Sequence, residues 1–127
     1  MTENEISYII RKAIFNVYNG LGPGLLESVY QKILIYDLQD LGLEVKWEVL
    51  MPVKYAEFEF DCNFRIDILV EDKVIIELKS VKNLEDIHFK QLNTYLKLSD
   101  KKLGILVNFN TDKILESIKR VVNGLEE

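Results

Sequence analysis

Asp67, Glu77 and Lys79 are the residues of this chain whose types and spacing could act together on a substrate. Glu77 and Lys79 stand inside "KVIIELKS", residues 73–80, which otherwise reads as a buried strand, where an unpaired charge is expensive. "FRIDILV" precedes it, and the two segments read as a hairpin closed by Glu71, Asp72 and Lys73, with Val70 opposite Val74. One face of that hairpin then presents Ile66 with Leu78, Ile68 with Ile76 and Val70 with Val74, and demands burial. The other presents Leu69 with Ile75, Asp67 with Glu77 and Arg65 with Lys79.

Opposed β-carbons lie about 4.5–5.5 Å apart, so the facing carboxylates repel and one holds its proton unless a cation comes between them. Hard oxygen ligands of this kind suit Mg²⁺ or Mn²⁺, which keep waters and can also take a phosphate oxygen. The competing reading is a solvated amphipathic face laced with cross-strand ion pairs. Apolar Leu69 and Ile75 on the same face favour a site. A hairpin loop of different parity would send Asp67 and Glu77 to opposite faces.

The elements that must position these residues follow from periodicity. Thr2 and Glu5 have the spacing of a capping box, and Ile6, Ile9, Ile10, Ala13, Ile14 and Val17 then recur at helical spacing, predicting a helix over about residues 3–18. "NGLGPG", residues 19–24, predicts a loop. A second helix carries Leu26, Tyr30, Ile33, Leu34, Leu38 and Leu41 and stops at Gly42. From Leu43 the pattern shortens to period two, with "EVKWEVLMPVKY" as one strand or two ahead of the hairpin. Asn83 is placed to cap a third helix through Leu98, "LGILVNF" reads as a buried strand, and Thr111 is placed to cap a last helix ending near Gly124.

The chain has 127 residues, 48% of them apolar, enough for one ordinary core, so residues 1–127 are expected to form a single domain. The first residues lack a basic stretch followed by an apolar run, and no segment is apolar enough to span a bilayer, which predicts a soluble, unprocessed protein with no membrane partner. Cys62 is the only cysteine, which excludes a disulfide or a cysteine-based zinc site within the chain and suits a reducing, cytoplasmic setting. The net charge of −5 gives no general attraction for nucleic acid. It does not exclude a nucleic-acid enzyme, because acids gathered in a site recruit the cations that meet a phosphate.

"DILVEDKVIIELKS" resembles the D…E-x-K core of the PD-(D/E)XK nuclease superfamily, and "GLLESVY", residues 24–30, resembles the G-x-x-E-x-x-Y signature of its small GxxExxY proteins. "QLNTYL" and "LGILVNF" follow in the family's order, so the likeness covers nearly the whole chain. The resemblance implies an α/β (α+β) restriction-endonuclease-like core: a mixed β-sheet in the order α-β-β-β-α-β, flanked by helices, with the extra N- and C-terminal helices read above. It implies Asp67 and Glu77 as metal-binding acids, the main-chain oxygen of Leu78 as a further ligand, and Lys79 as the group that orients the attacking water. Glu27 matches the helix acid that completes the metal shell, and Gln91 and Tyr95 resemble the Q-x-x-x-Y element that positions substrate. The proline common before the first acid is absent, with Ile66 in its place.

Elementary physics supplies a structural reading beside each of these. A carboxylate in a first helical turn, such as Glu27, is favourable through the helix dipole alone. Gln91, Tyr95 and His88 share a helix face that could simply bridge core and solvent. Trp47 reads as core, and Lys119 with Arg120 as a solvated helix end. The function these features predict is a Mg²⁺- or Mn²⁺-dependent nuclease, on DNA ahead of RNA, with weak intrinsic affinity for nucleic acid and room for a homodimer or a partner protein. The alternative is a nuclease-like binding or assembly module without catalysis.

Overall fold

The computed structural model describes residues 1–126; Glu127 and the side chains of Asp61 and Cys62 lie outside the description, and with Cys62 the expectation built on it. The elements are α1 (Glu3–Leu21), α2 (Glu27–Asp40), β1 (Val45–Tyr55), β2 (Phe58–Val70), β3 (Val74–Lys79), α3 (Asp86–Ser99), β4 (Leu103–Asn108), a 3₁₀ turn (Ile114–Ser117) and β5 (Ile118–Val122). Residues 27–108 thus run α-β-β-β-α-β. The five strands lie in chain order in one mixed sheet: β1, β2 and β3 are an antiparallel meander, β4 joins β3 in parallel through α3, and β5 returns antiparallel.

Thr2 Oγ1 accepts the Glu5 N–H at 3.2 Å and starts α1 where the capping residues predict. The helix runs past the expected stop into "NGLGPG" and ends at Gly22, whose φ of 70° is the left-handed geometry that only glycine takes cheaply. α3 begins at Asp86 rather than at Asn83, because the Glu85 side chain and His88 Nδ1 exchange hydrogen bonds with each other's main-chain N–H groups. His88 is therefore a capping residue.

Helices cover both faces of the sheet. Ile6, Ile10 and Ile14 of α1 and Tyr30, Leu34 and Leu38 of α2 pack with Ile68, Val70, Val74, Ile76 and Leu78. On the other face Leu92 and Leu96 of α3 pack with Phe64, Ile66, Leu69, Ile75 and Leu106. Gly104 of β4 lets α3 approach, since a β-carbon there would meet Leu92 at 2.8 Å. Ile33, placed by periodicity on the inner face of α2, is exposed.

The C-terminal helix expected after Thr111 does not form. One 3₁₀ turn is followed by β5, whose residues Ile118–Val122 pair with Leu103–Val107. β-Branched Ile118, Val121 and Val122 suit a strand, and pairing covers the backbone groups that β4 would otherwise leave open at an edge. Lys119 and Arg120 thus lie on a strand, not at a helix end, and Arg120 Nη2 donates to Asn4 Oδ1 at 2.6 Å. Trp47 is not core: it stands on the edge strand β1 at the rim of α2 and is 49% exposed. Among the described residues no helix is long and apolar enough to cross a membrane.

Candidate active site

The β2–β3 hairpin has the predicted loop and register, with Val70 opposite Val74, Leu69 opposite Ile75 and Ile68 opposite Ile76. Glu71 and Asp72 both take left-handed φ, and the Lys73 N–H bonds to Val70 O at 3.0 Å, closing the turn. Regular pairing then stops. Asp67 Oδ2 accepts the Leu78 N–H at 3.0 Å, and a Glu77 carboxylate oxygen accepts the Asp67 N–H at 3.3 Å. The strands part at Asp67, and side chains replace the ladder.

This parting coincides with an exchange of faces. In an unbroken strand alternate residues share a face. Ile66 nevertheless packs with the α3 core, whereas Ile68 and Val70 pack with the α1–α2 core. On β1 the same exchange separates Val45 from Val49, Met51 and Val53. Between them Glu48 adopts a φ of 51°, and the β1–β2 register is the same on either side of it: Trp47 with Ile68 and Val49 with Ile66. Glu48 and Asp67 mark the break on neighbouring strands. The continuous aliphatic face expected from Ile66 to Val70 is thereby corrected: Ile66 is buried, but on the opposite side.

Glu77 is only 6% exposed. Burial first, and then the charge of Asp67 and a hydrogen bond between the carboxyl groups, push its pKa up to about 9, opposed by Lys79. At neutral pH Glu77 keeps its proton, which the hydrogen bond to the Asp67 carboxyl group favours. Tyr95 of α3 stacks on Phe64 at a ring separation of 4.8 Å and accepts a hydrogen bond from Gln91 Nε2 at 2.9 Å. Its pKa is raised by burial and next by the nearby Glu77 charge, so Gln91 and Tyr95 approach this pair from the α3 side.

From the α2 side comes the G-x-x-E-x-x-Y stretch. Gly24 takes a φ of 100°, and Glu27 Oε1 accepts the Ser80 N–H at 3.2 Å. The Tyr30 hydroxyl donates to Gly22 O at 2.6 Å and accepts from the Leu25 N–H at 3.1 Å, while its ring stacks on Phe109 at 4.3 Å. Ser80 Oγ donates to Leu25 O at 2.8 Å, fastening the end of β3 to the same loop. Glu27, Asp67 and Leu78 line one cleft of about 250 Å³.

Ser28, Gln31, Glu48 and Arg65 complete that cleft, and sequence reasoning missed their joint placement. Gln31 Nε2 donates to both Glu48 Oε1 and the Asp67 carbonyl at 3.0 Å, and Arg65 Nε pairs with Glu48 Oε2 at 2.9 Å. Arg65 is thus partnered with Glu48 rather than set opposite Lys79. The only available signal was Gln31 lying one helical turn after Glu27.

The half-buried Asp67 beside the buried, protonated Glu77 offers the oxygen donors a hard divalent cation prefers, and the ion would replace the Glu77 proton. The fit rests on these two acids. Glu27 spends an oxygen on Ser80, and among the described residues no three histidine, cysteine or acid side chains gather closely enough to hold a metal.

Comparison with known proteins agrees with this architecture. The crystal structure of SSO0001 superposes with a TM-score of 0.57 at 26% sequence identity, over 79% of this chain. The chain spans about half of that protein, 52% of its length. No curated protein matches the chain. The family model of the PD-(D/E)XK nuclease superfamily matches residues 4–121. With a restriction-endonuclease-like sheet and an Asp67–Glu77 pair where its central strands part, the chain belongs to the PD-(D/E)XK nuclease superfamily.

Proposed function

We propose that this chain, acting as one domain, is a metal-dependent nuclease of the GxxExxY group that hydrolyses phosphodiester bonds, in DNA ahead of RNA. The observation that carries this reading is the buried Glu77 interlocked with the half-buried Asp67, each carboxyl accepting a main-chain N–H from the other's strand where β2 and β3 part. PD-(D/E)XK nucleases generally use divalent metals and act on nucleic acid, and here Asp67, Glu77 and the Leu78 main-chain oxygen would hold the ion, with Glu27 acting through water. Bound Mg²⁺ or Mn²⁺ would supply a Lewis acid for a phosphoryl oxygen and lower the pKa of a coordinated water. Lys79 orients the attacking water and offsets the charge that grows on the phosphate. Gln91 and Tyr95, already bonded to each other, position the strand from α3.

Cleavage assays in Mg²⁺ or Mn²⁺ test this. Asp67→Ala and Lys79→Ala each should lower the rate by roughly a hundredfold or more. Activity surviving in both variants ends the proposal. The second reading, a nuclease-like module without catalysis, is favoured by one feature, the lack of a three-acid cluster among the described residues. Calorimetry with Mn²⁺ on wild type and Glu77→Ala, beside a panel of single-stranded, duplex and branched substrates, separates the two. Ion uptake without turnover on any substrate supports the module.

A further inference from the structure

Beside the candidate active site, and sharing Ser28, Gln31 and Glu48 with it, lies a second groove of about 580 Å³. Its further walls are Trp47 of β1 and Lys32, Ile35 and Tyr36 of α2. Trp47 and Tyr36 are 49% and 67% exposed. Among the described residues neither ring has a stacking or hydrogen-bond partner, and Lys32 enters no ion pair. Two large exposed rings gathered in one groove form an apolar patch of the kind that marks a binding site.

We infer that this groove is a stacking subsite for an unpaired nucleobase of the strand whose phosphate enters the adjoining cleft. The inference rests on the nuclease reading and narrows it to substrates with single-stranded character. Three observations select this occupant. The groove adjoins the cleft of Asp67 and Glu27 across the bonded Gln31–Glu48 pair that both share, so a strand lying over that pair would place a base on Trp47 next to a phosphate at the acids. The rings offer faces, and in a duplex the base faces are already stacked, so only an unpaired base can use them. Lys32 supplies a cation for the neighbouring phosphate, while Glu48, the acid between cleft and groove, is neutralised by Arg65. With a net charge of −5 the protein has little phosphate attraction to spread over a long duplex, and stacking supplies affinity that does not depend on charge.

Trp47 is the only tryptophan of the chain and therefore reports on its own groove. In metal-free buffer with EDTA, titration with oligothymidylate or oligouridylate should quench its emission. An abasic strand of equal charge and a blunt duplex should not. Tyr36→Ala should weaken binding by roughly tenfold, as should Trp47→Ala followed by anisotropy of a labelled strand, while Trp47→Phe retains most of it. Both residues are exposed, and circular dichroism checks that the variants fold. Equal quenching by abasic and thymidylate strands, or none by either, overturns the inference. So does a concentration-dependent dimer that Trp47→Ala dissociates, because a second copy then covers the groove. Cleavage of the same oligonucleotide, lost in Asp67→Asn, tests the nuclease reading separately: quenching without cleavage retains the groove and removes the enzyme, and cleavage without quenching does the reverse.

Discussion

Asp67 and Glu77 hold each other across the point where β2 and β3 separate: Glu77 accepts the Asp67 main-chain N–H, and Asp67 accepts the N–H of Leu78, the residue after Glu77. Each acid thereby satisfies a backbone donor that lost its ladder partner when the strands parted. The arrangement fixes both carboxyl groups in place before any ion arrives. It also leaves Glu77 protonated at neutral pH, with measurable consequences.

Without metal, that proton makes stability depend on pH. The folded pKa of Glu77 is raised from 4.5 to about 9, so between these values the folded protein binds more protons than the unfolded chain. Stability is then fullest below pH 4.5 as far as this group is concerned, and falls as pH rises towards 9. Glu77→Gln, which keeps the neutral form, should flatten this slope and stabilise the metal-free protein above neutrality by about 1–3 kcal/mol. Urea unfolding at several pH values in EDTA measures it. A slope unchanged by the substitution contradicts the buried proton.

Metal uptake should expel the same proton. At pH 7 Glu77 is protonated, and a cation held by both acids requires it ionised. Calorimetric titration with Mn²⁺ in buffers of different ionisation enthalpy should show release of about one proton per ion. Binding should tighten as pH rises towards 9. A heat independent of buffer would mean that the ion bypasses Glu77.

Tyr30 should matter to the site without touching it. Its hydroxyl ties Gly22 to Leu25 within the loop that sets Glu27 against Ser80. Tyr30→Phe keeps the stack on Phe109 but removes two hydrogen bonds, to the half-buried Gly22 carbonyl and from the Leu25 N–H, and should cost about 1–3 kcal/mol. Thermal unfolding measures the loss, and amide exchange at Leu25 and Ser80 should accelerate. Protection unchanged at both amides would show that the loop is held by other contacts.

Much of this was legible in the residues themselves, wherever the determining contacts are local. The capping residue and apolar spacing of α1, the succession of helix, helix, strands, helix and strand up to Asn108, and the turn through Glu71, Asp72 and Lys73 all follow from neighbours in sequence. That turn length sets the register from Val70–Val74 to Ile68–Ile76, because each residue along a strand reverses the face; beyond it the ladder stops, and Asp67 and Glu77 meet through bonds to each other's main chain. "GLLESVY" could be matched as a pattern, and its left-handed glycine and hydroxyl clamp are local, but the acid on Ser80 and the ring on Phe109 depend on chain segments far away.

Tertiary structure decided the rest. Glu48 takes left-handed φ with no glycine or asparagine to announce it, and its strain is offset by Gln31, brought there by the seating of α2 over the sheet, and by Arg65 of the neighbouring β2. Ile118–Val122 carries apolar residues that suit a helix or a strand, and the open edge of β4 settled the choice. Trp47 reads as core until α2 is seen to stop short of covering β1. Sequence spacing determines which face a residue points to, but the neighbour it finds there depends on where distant elements dock.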